Sequence, residues 1–173
     1  NLILAKELAE KAFSDMNLEY EIIKEIQGKE LENLHYKHPF IDREGIVMLG
    51  EHVTNEAGTG SVHTAPGHGV DDYNVGQRYG LDILSPVDDK GHFTKEAGKY
   101  EGLFYRKGNG IILEDIEKTG HLLGYKEITH SYPHDWRSKK PVIFRATEQW
   151  FISVDESDVR QNALNALKNV EFV

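Results

Sequence analysis

Apolar residues recur at helical spacing in four stretches of the chain. Leu4, Leu8 and Ala12 lie four residues apart on one helical face, which predicts a helix near the start. Asn and Asp favour helix starts, and a glycine after a periodic stretch is a common helix stop. On these signals three more helices are predicted: 71–80 with Gly80 as its stop, a helix from Asn109 as N-cap to Gly120, and a helix from Asp155 as N-cap through Leu167.

Four other stretches carry short runs of aromatic and β-branched residues bounded by Gly or Pro, which is typical of strands that end at turns. They cover residues 20–26, 45–50, 61–65 and 141–154. Several short strands with a few helices favour mixed α/β content dominated by a β-barrel or a strongly bent sheet with peripheral helices. A doubly wound parallel sheet is not expected, because no strand–helix–strand rhythm repeats along the chain.

Composition narrows the class of protein without indicating a function. The 173 residues include 20 Lys and Arg against 29 Asp and Glu, a formal charge of -9, which argues against a protein that coats nucleic-acid phosphates over a wide surface. The lack of cysteine excludes disulfides and a cysteine nucleophile within this sequence. With 39% hydrophobic residues and no long apolar run, we expect a globular, cytoplasmic chain with no membrane association.

Chemistry-bearing residues concentrate in one glycine-rich stretch over 58–73, which reads GTGSVHTAPGHGVDDY. It predicts a strand, a turn and the start of a helix, with glycines where a ligand or a second backbone can come close. Asp71 and Asp72 fall in the first helical turn, where the helix dipole stabilises negative charge, so an ionised carboxylate there suits a substrate ammonium group. His63 and His68 can donate hydrogen bonds or transfer protons.

Each of these residues also fits a purely structural role. In that role Asp71 only complements the helix dipole, and His68 only hydrogen-bonds the backbone of its own turn. A lone histidine on a strand, as His63 is expected to be, is more often structural than catalytic. The density of His, Asp and Gly in one turn nevertheless favours a functional site.

The run GTGSVHTAPGHGVDDYNVGQRYG over 58–80 resembles the signature of the editing domain of bacterial-type isoleucyl-tRNA synthetase, a domain inserted in the catalytic fold of that class I enzyme. HSYPHDWR over 130–137 and RATEQWF over 145–151 are similar to the segment that returns to the synthetase core. The resemblance implies that residues 1–150 are the editing domain and 151–173 a return segment and helix. The chain is accordingly expected to be a piece of a longer polypeptide.

The resemblance implies hydrolysis of valine misattached to isoleucine tRNA, and it leaves valyl-adenylate open as a second substrate. Because one methylene separates the two amino acids, a single hydrophobic pocket discriminates them weakly, and a second, smaller pocket can remove the error. The implied partners are the 3′ end of tRNA(Ile) carrying the wrong amino acid and the remainder of the synthetase. The parent enzyme would use ATP and Mg, whereas no cofactor and no metal is expected in this domain.

The family's pattern also implies roles for single residues. Asp72 matches the carboxylate that holds the α-ammonium of the substrate, and His63 matches a position beside the amino-acid moiety; these two are the predicted catalytic residues. The remaining predicted substrate-binding residues are Thr64, Gly60, His68 and Asp71. Water would attack the ester carbonyl with help from protein hydrogen bonds and the terminal ribose hydroxyl, without a covalent intermediate.

One departure from the family concerns a threonine-rich strand that its editing pocket also uses and that this sequence lacks. Thr59 and Thr64 belong to the other motif and do not replace it. We therefore expect a pocket without one of its walls. Binding and hydrolysis by this chain alone are predicted to be weak or absent.

A basic cluster runs against the acidic total, and its members are Arg137, Lys139, Lys140 and Arg145. It can contact the few phosphates of a single-stranded tRNA end, and it fits a solvated strand face equally well. Trp136 and Trp150 can stack on a base, although tryptophan more often anchors a core or a join between domains. Trp150 is expected at the join to the parent enzyme.

Two rival functions follow from the same residues. A metallohydrolase would hold zinc between His63, His68 and Asp72, although no further residue has convincing ligand spacing. A non-catalytic module would dock the tRNA end or another domain without chemistry.

Overall fold

A computed structural model describes residues 1–171. In that range the chain forms helices and two short strands, and the end of the predicted return segment, residues 172–173, lies outside it. The elements are, in order, α1 Lys6–Met16, a 3₁₀ turn Gly28–Leu31, β1 His35–Lys37, β2 Glu44–Ile46, α2 Val70–Arg78, a second 3₁₀ turn Lys95–Tyr100, α3 Tyr105–Lys118 and α4 Val159–Leu167.

The predicted opening helix is confirmed as α1, which buries Leu8 and Ala9 on the face that the apolar spacing indicated. It ends at Met16 and is followed by Asn17, which adopts a left-handed φ of 53°. The next residue, Leu18, returns its N–H to the carbonyl of Phe13 at 3.0 Å. This arrangement satisfies carbonyls that would otherwise have no partner at the end of the helix.

The third predicted helix starts earlier than the sequence suggested. Asn109 is not its N-cap but lies inside α3, which begins at Tyr105. Phe104 is extended, and its carbonyl accepts the first α-helical hydrogen bond from Gly108 at 3.1 Å, so the helix is started by backbone geometry and not by a capping side chain. Gly120 follows the helix with a φ of 73°, as predicted for a glycine stop.

The second and fourth predicted helices are confirmed with small changes at their ends. Gly80, the predicted stop after α2, has a φ of 67°. α4 follows Asp158 in the N-cap position, so the prediction that Asp155 caps it is wrong. The Asp155 carboxylate pairs instead with the guanidinium of Arg160, at 2.5 Å between Oδ1 and Nε.

The predicted β-barrel or strongly bent sheet is wrong. The described residues form one open antiparallel sheet of two strands, and helix accounts for 31% of the structure. β1 and β2 pair in a register that sets His35 opposite Ile46, so the predicted strand over 45–50 is reduced to its first two positions and Glu44 before them. Residues 20–26, 61–65 and 141–154 form no strand.

The physical reason is that an extended segment becomes a strand only when a neighbour pairs with its backbone. The predicted strand over 20–26 has no ladder within the described chain, and its Ile23 side chain is 70% exposed. The predicted long strand over 141–154 makes one isolated bridge, between His134 and Pro141. Strand-like composition is therefore present without the pairing that closes a barrel.

The buried apolar core is small, and its members are Leu8, Ala9, Val75, Val87 and Tyr100. The Tyr100 ring meets Phe40 edge-on and Phe93 at a tilt, each with 6.4 Å between ring centroids. A Cβ on Gly108 would lie 2.5 Å from the Phe93 ring, so this glycine lets α3 approach the aromatic cluster. The core residues thus come from α1, from α2 and from the segment between α2 and α3, on either side of the glycine-rich stretch in sequence.

Candidate functional site

The turn over residues 64–69 and the start of α2 form the centre of the predicted site. The His68 N–H donates to the Ala65 carbonyl at 2.8 Å, which closes the turn, and the helix begins with the Tyr73 N–H on the Gly69 carbonyl at 2.8 Å. The Ala65 N–H donates to Oδ2 of Asp72 at 3.2 Å. A half-buried carboxylate in the first helical turn therefore ties the helix to the turn before it.

Glycines allow this turn to pack tightly against its surroundings. A Cβ on Gly67 would lie 2.1 Å from the carbonyl oxygen of Leu84, and one on Gly76 would lie 2.6 Å from Cγ of Pro66. No side chain fits at such distances, so the turn is pressed between the loop at Leu84 and the body of α2.

A distant part of the chain also contacts the turn. The backbone N–H of Ala146 donates to the Gly67 carbonyl at 2.7 Å, and Nδ1 of His68 lies 2.8 Å from the Phe144 carbonyl. Because a carbonyl only accepts hydrogen bonds, Nδ1 of His68 carries the hydrogen in this contact. Its Nε2 is the ring nitrogen left to accept a hydrogen bond when the imidazole is neutral.

His63 is exposed and lies within electrostatic range of His38, the residue after β1. Partial burial, followed by the positive charge of Arg43 and a smaller electrostatic effect of His63, lowers the pKa of His38. Nδ1 of His38 accepts the backbone N–H groups of Phe40 and Ile41 at 3.3 and 3.1 Å, which also favours its neutral form. The neutral form of the His38 imidazole is thus favoured by burial, by nearby charge and by these two hydrogen bonds.

The two adjacent aspartates have different surroundings. A cavity of about 330 Å³ is lined by Glu51, His52, Asp71, Asn74, Val75 and Arg78. A neighbouring cavity of about 320 Å³ shares Glu51 and Arg78 with it. Asp72 lines neither, because successive helical residues point in directions about 100° apart. Asp71 therefore faces a cavity, whereas Asp72 faces the turn.

Sequence reasoning missed the cavity on the Asp71 side of α2. A signal was available, since Asn74 and Arg78 lie three and seven residues after Asp71 and share its helical face. Glu51 and His52 come from a distant loop, and no sequence spacing connects them to α2. The His52 ring lies against Gly50, where a Cβ would be 2.7 Å from Cε1 of the imidazole.

The remaining predicted substrate-binding residues are Thr64, which lies in the turn, and Gly60, which precedes it. Thr64 is half-buried and precedes Ala65 in the turn. Gly60 has a φ of 74°, and a Cβ there would lie 2.5 Å from Cβ of Ala5. The Ala5 N–H donates to the Thr59 carbonyl at 2.8 Å, so Gly60 serves the packing of the start of α1.

The structure divides the predicted basic cluster. Arg137 lies over the Trp136 ring at 4.7 Å from its centroid. Lys139 and Lys140 lie in the same exposed turn, which Asp135 holds by accepting the Ser138 N–H at 2.6 Å. That hydrogen bond lowers the pKa of Asp135. The fourth member, Arg145, makes an ion pair with Asp89 instead.

The zinc hypothesis receives no ligand set. Across residues 1–171, no group of three or more His, Asp or Glu side chains is arranged to hold a metal ion. Over the same range, no helix has the length and apolarity needed to cross a membrane.

Comparison with known proteins connects these residues to one enzyme family. The chain is 55% identical over 173 residues to the isoleucine–tRNA ligase of Acholeplasma laidlawii, a match that covers 99% of this chain and 19% of that protein. For the ligase of Kosmotoga olearia the identity is 54% over 171 residues, a match that covers 98% of this chain and 19% of that protein. For the ligase of Macrococcus caseolyticus the identity is 58% over 152 residues, a match that covers 88% of this chain and 16% of that protein. This chain is homologous to one segment of isoleucine–tRNA ligases.

The chain spans about a fifth of the length of the curated relatives it matches. No family model matches it. The resemblance to isoleucyl-tRNA synthetase is thus confirmed for the segment that this chain matches in relatives named isoleucine–tRNA ligase. The assignment of residues 1–150 to an editing domain, and of 151–173 to a return segment, stays a prediction.

Proposed function

We propose that this chain is the proofreading segment of an isoleucine–tRNA ligase and that it hydrolyses valine misattached to isoleucine tRNA. In this proposal the parent enzyme joins isoleucine to tRNA with ATP and Mg, and residues 1–150 form its editing domain. One observation carries the proposal: the Ala65 N–H on the Asp72 carboxylate joins the HTAPGHG turn to the residue that matches the family's ammonium-binding position.

The charge and geometry of Asp72 suit an ammonium group. Its Oδ2 accepts the Ala65 N–H, while Oδ1 accepts no hydrogen bond from the part of the chain that the structure describes. The carboxylate is half-buried, so its attraction for a cation is screened less than on an open surface. A substrate held by its amine at this point would lie beside the turn that carries Thr64 and His68.

The chemical step is hydrolysis by water and not transfer to a side chain. We assign His63 the orientation of the ester, because it matches the family's position beside the amino-acid moiety and its side chain is exposed. The ribose hydroxyl of the tRNA end would help to place the water, and positioning of this kind supplies much of the rate of an ester hydrolysis.

The chain by itself is proposed to be a slow hydrolase. Asp72 lines neither cavity, and His63 is exposed, so a bound ester would keep much of its water. Water that is not excluded weakens the electrostatic contacts on which the transition state depends. The expected rate for the chain alone is well below that of the whole ligase.

The test is deacylation of valyl-tRNA(Ile) by the whole ligase that contains this segment. Asp72→Ala should lower the hydrolysis rate by about 100-fold, which corresponds to about 2.7 kcal/mol of transition-state stabilisation. Asp82→Ala, an exposed carboxylate beyond α2, is the matched control and should keep the wild-type rate.

Two further readings separate the proposal from its rivals. Retained tRNA binding by Asp72→Ala, together with lost deacylation, supports a catalytic site over a docking module. A full loss with Asp71→Ala and none with Asp72→Ala would move the site to the cavity side of α2 and overturn the proposal.

A further inference from the structure

Residues 142–146, called the strap here, lie across the turn over 64–69. The contacts alternate along the strap: Phe144 accepts the His68 hydrogen bond, and Ala146 donates to Gly67. The side chain of the residue between them, Arg145, contacts the loop at Val87 and Asp89. The strap therefore contacts the turn through Phe144 and Ala146 and the loop through the Arg145 side chain.

Arg145 links the strap to the loop that contains Val87 and Asp89. One terminal nitrogen of its guanidinium donates to the Val87 carbonyl at 3.3 Å, and the other pairs with the Asp89 carboxylate. The Arg145 side chain is 23% exposed, whereas Asp89 is 88% exposed, so the arginine is the enclosed member of the pair. An arginine held by a carbonyl and a carboxylate has fewer donors left for a phosphate.

The loop that receives Arg145 is itself held in place. Val87 is buried, and Oδ1 of Asp88 accepts the N–H groups of Lys90 and His92, each at 2.8 Å. These hydrogen bonds lower the pKa of Asp88, so its carboxylate stays ionised and keeps the loop closed at neutral pH. Arg145 thus attaches the strap to a firm support.

We infer that Arg145 and Asp89 are positioning residues for the hydrolysis, acting through the strap on the turn that carries His68 and, through Ala65, on Asp72. The inference rests on the proposed function for its activity readout. It reassigns Arg145 from a nucleic-acid contact to a contact within the chain. The Phe144 carbonyl keeps the hydrogen on Nδ1 of His68, so Nε2 is the nitrogen left to accept a hydrogen bond.

The kinetic test uses the whole ligase and valyl-tRNA(Ile). Arg145→Met should lower kcat of deacylation by about 10-fold while KM changes by less than about 3-fold, because orientation is lost and tRNA binding is kept. Asp89→Asn should lower kcat in the same direction, and since Asp89 is largely exposed this variant should fold. Arg106→Met, an exposed arginine on α3, is the control and should leave kcat unchanged.

The opposite pattern identifies a nucleic-acid contact. In that case Arg145→Met raises KM with kcat unchanged, and Asp89→Asn lowers KM because a negative charge near the RNA has been removed. Either result overturns the inference. Exchanging the charges in Asp89→Arg with Arg145→Asp should recover part of the lost kcat, and a double variant no better than Arg145→Asp alone would also count against it.

A second measurement on the 173-residue chain does not depend on hydrolysis. The Ala146 amide should be protected from hydrogen exchange in the wild type and should exchange at least 10-fold faster in Arg145→Met. Imidazole ¹⁵N spectra should show hydrogen on Nδ1 of His68 in the wild type. Equal exchange rates in the two chains overturn the inference. If instead the protection depends on Arg145 but the ligase does not hydrolyse valyl-tRNA(Ile), the proposed function has failed and the strap contact stands.

Discussion

The first hundred residues and the last fifty use their apolar side chains differently. Every buried hydrophobic residue in the described chain lies between Leu8 and Tyr100. In contrast, Trp150 is 99% exposed and Phe151 is 90% exposed, although the composition of their segment is strand-like. Hydrophobicity alone therefore does not decide burial in this protein, since a side chain is buried only where a partner surface from elsewhere in the chain reaches it.

The two regions also differ in how closely neighbouring segments of the chain pack against each other. Near α2 and α3, Gly67, Gly76 and Gly108 let neighbouring chain and rings come within distances that a Cβ would block. After residue 120, the described polar contacts with distant parts of the chain include the ion pair of Lys126 with Asp15 and the contacts of the strap. The first region is stabilised by close packing, whereas the later region is attached through individual polar contacts.

The largest expected effect tests the close packing by adding a methyl group at Gly67, where the two regions contact each other. Gly67→Ala places a Cβ 2.1 Å from a backbone oxygen that cannot rotate away, and it should lower the free energy of unfolding by about 3 kcal/mol. Gly110→Ala is the control, because nothing lies within 4 Å of that position inside α3. The control should gain about 0.5–1 kcal/mol in urea unfolding, and equal effects from both changes would contradict a packed turn.

A smaller effect should separate the two kinds of apolar residue. Val75→Ala removes methyl groups from a buried position and should cost about 2 kcal/mol, because it leaves a cavity. Trp150→Ser removes a far larger side chain from solvent and should change stability by less than about 0.5 kcal/mol. Thermal unfolding of the 173-residue chain measures both, and a large loss from Trp150→Ser would show that this side chain is packed in solution.

The smallest expected effect concerns an ionic cluster within the packed region. Hydrogen bonds from Lys99 and then from Tyr100, each at 2.8 Å, hold the pKa of Asp115 below its usual value. A carboxyl group with a lowered folded pKa adds stability above its unfolded pKa of about 4 and loses that contribution as pH falls through the folded value. Asp115→Asn should therefore reduce stability at pH 7 and flatten its decline below about pH 4.

The matched control for this cluster is Glu114→Gln, an exposed neighbour on the same helix. It should keep the acid-induced decline of the wild type when the melting temperature is followed from pH 7 to pH 2.5. An unchanged decline in Asp115→Asn would mean that the cluster contributes nothing to the acid sensitivity of the fold.

Helices were predictable here because their hydrogen bonds are local. The apolar spacing of α1 and α2 and the glycine stops at Gly80 and Gly120 are all found where the sequence indicated. The failed cap at Asn109 shows the limit of local signals, since the backbone of Phe104 had already started that helix. Strand prediction failed because a run of aromatic and branched residues does not specify a partner.

The candidate site shows the same division. The glycine-rich turn, the helix after it and the two acidic residues in its first turn could be placed from sequence, and the family was recognised from the same motif. Sequence could not tell that Asp71 lines a cavity and Asp72 accepts the Ala65 N–H. It also could not tell that Arg145 pairs with Asp89, 56 residues away.

By itself the sequence determined the helices, the tight turn and the kinship with isoleucine–tRNA ligases, because periodicity, glycine positions and motifs are properties of short stretches. Tertiary structure alone decided which carboxylate faces which neighbour, how the strap crosses the turn and where strand-like segments remain unpaired. Those outcomes depend on contacts between residues far apart in the chain, and the free energy of such contacts is set by geometry that no local pattern encodes.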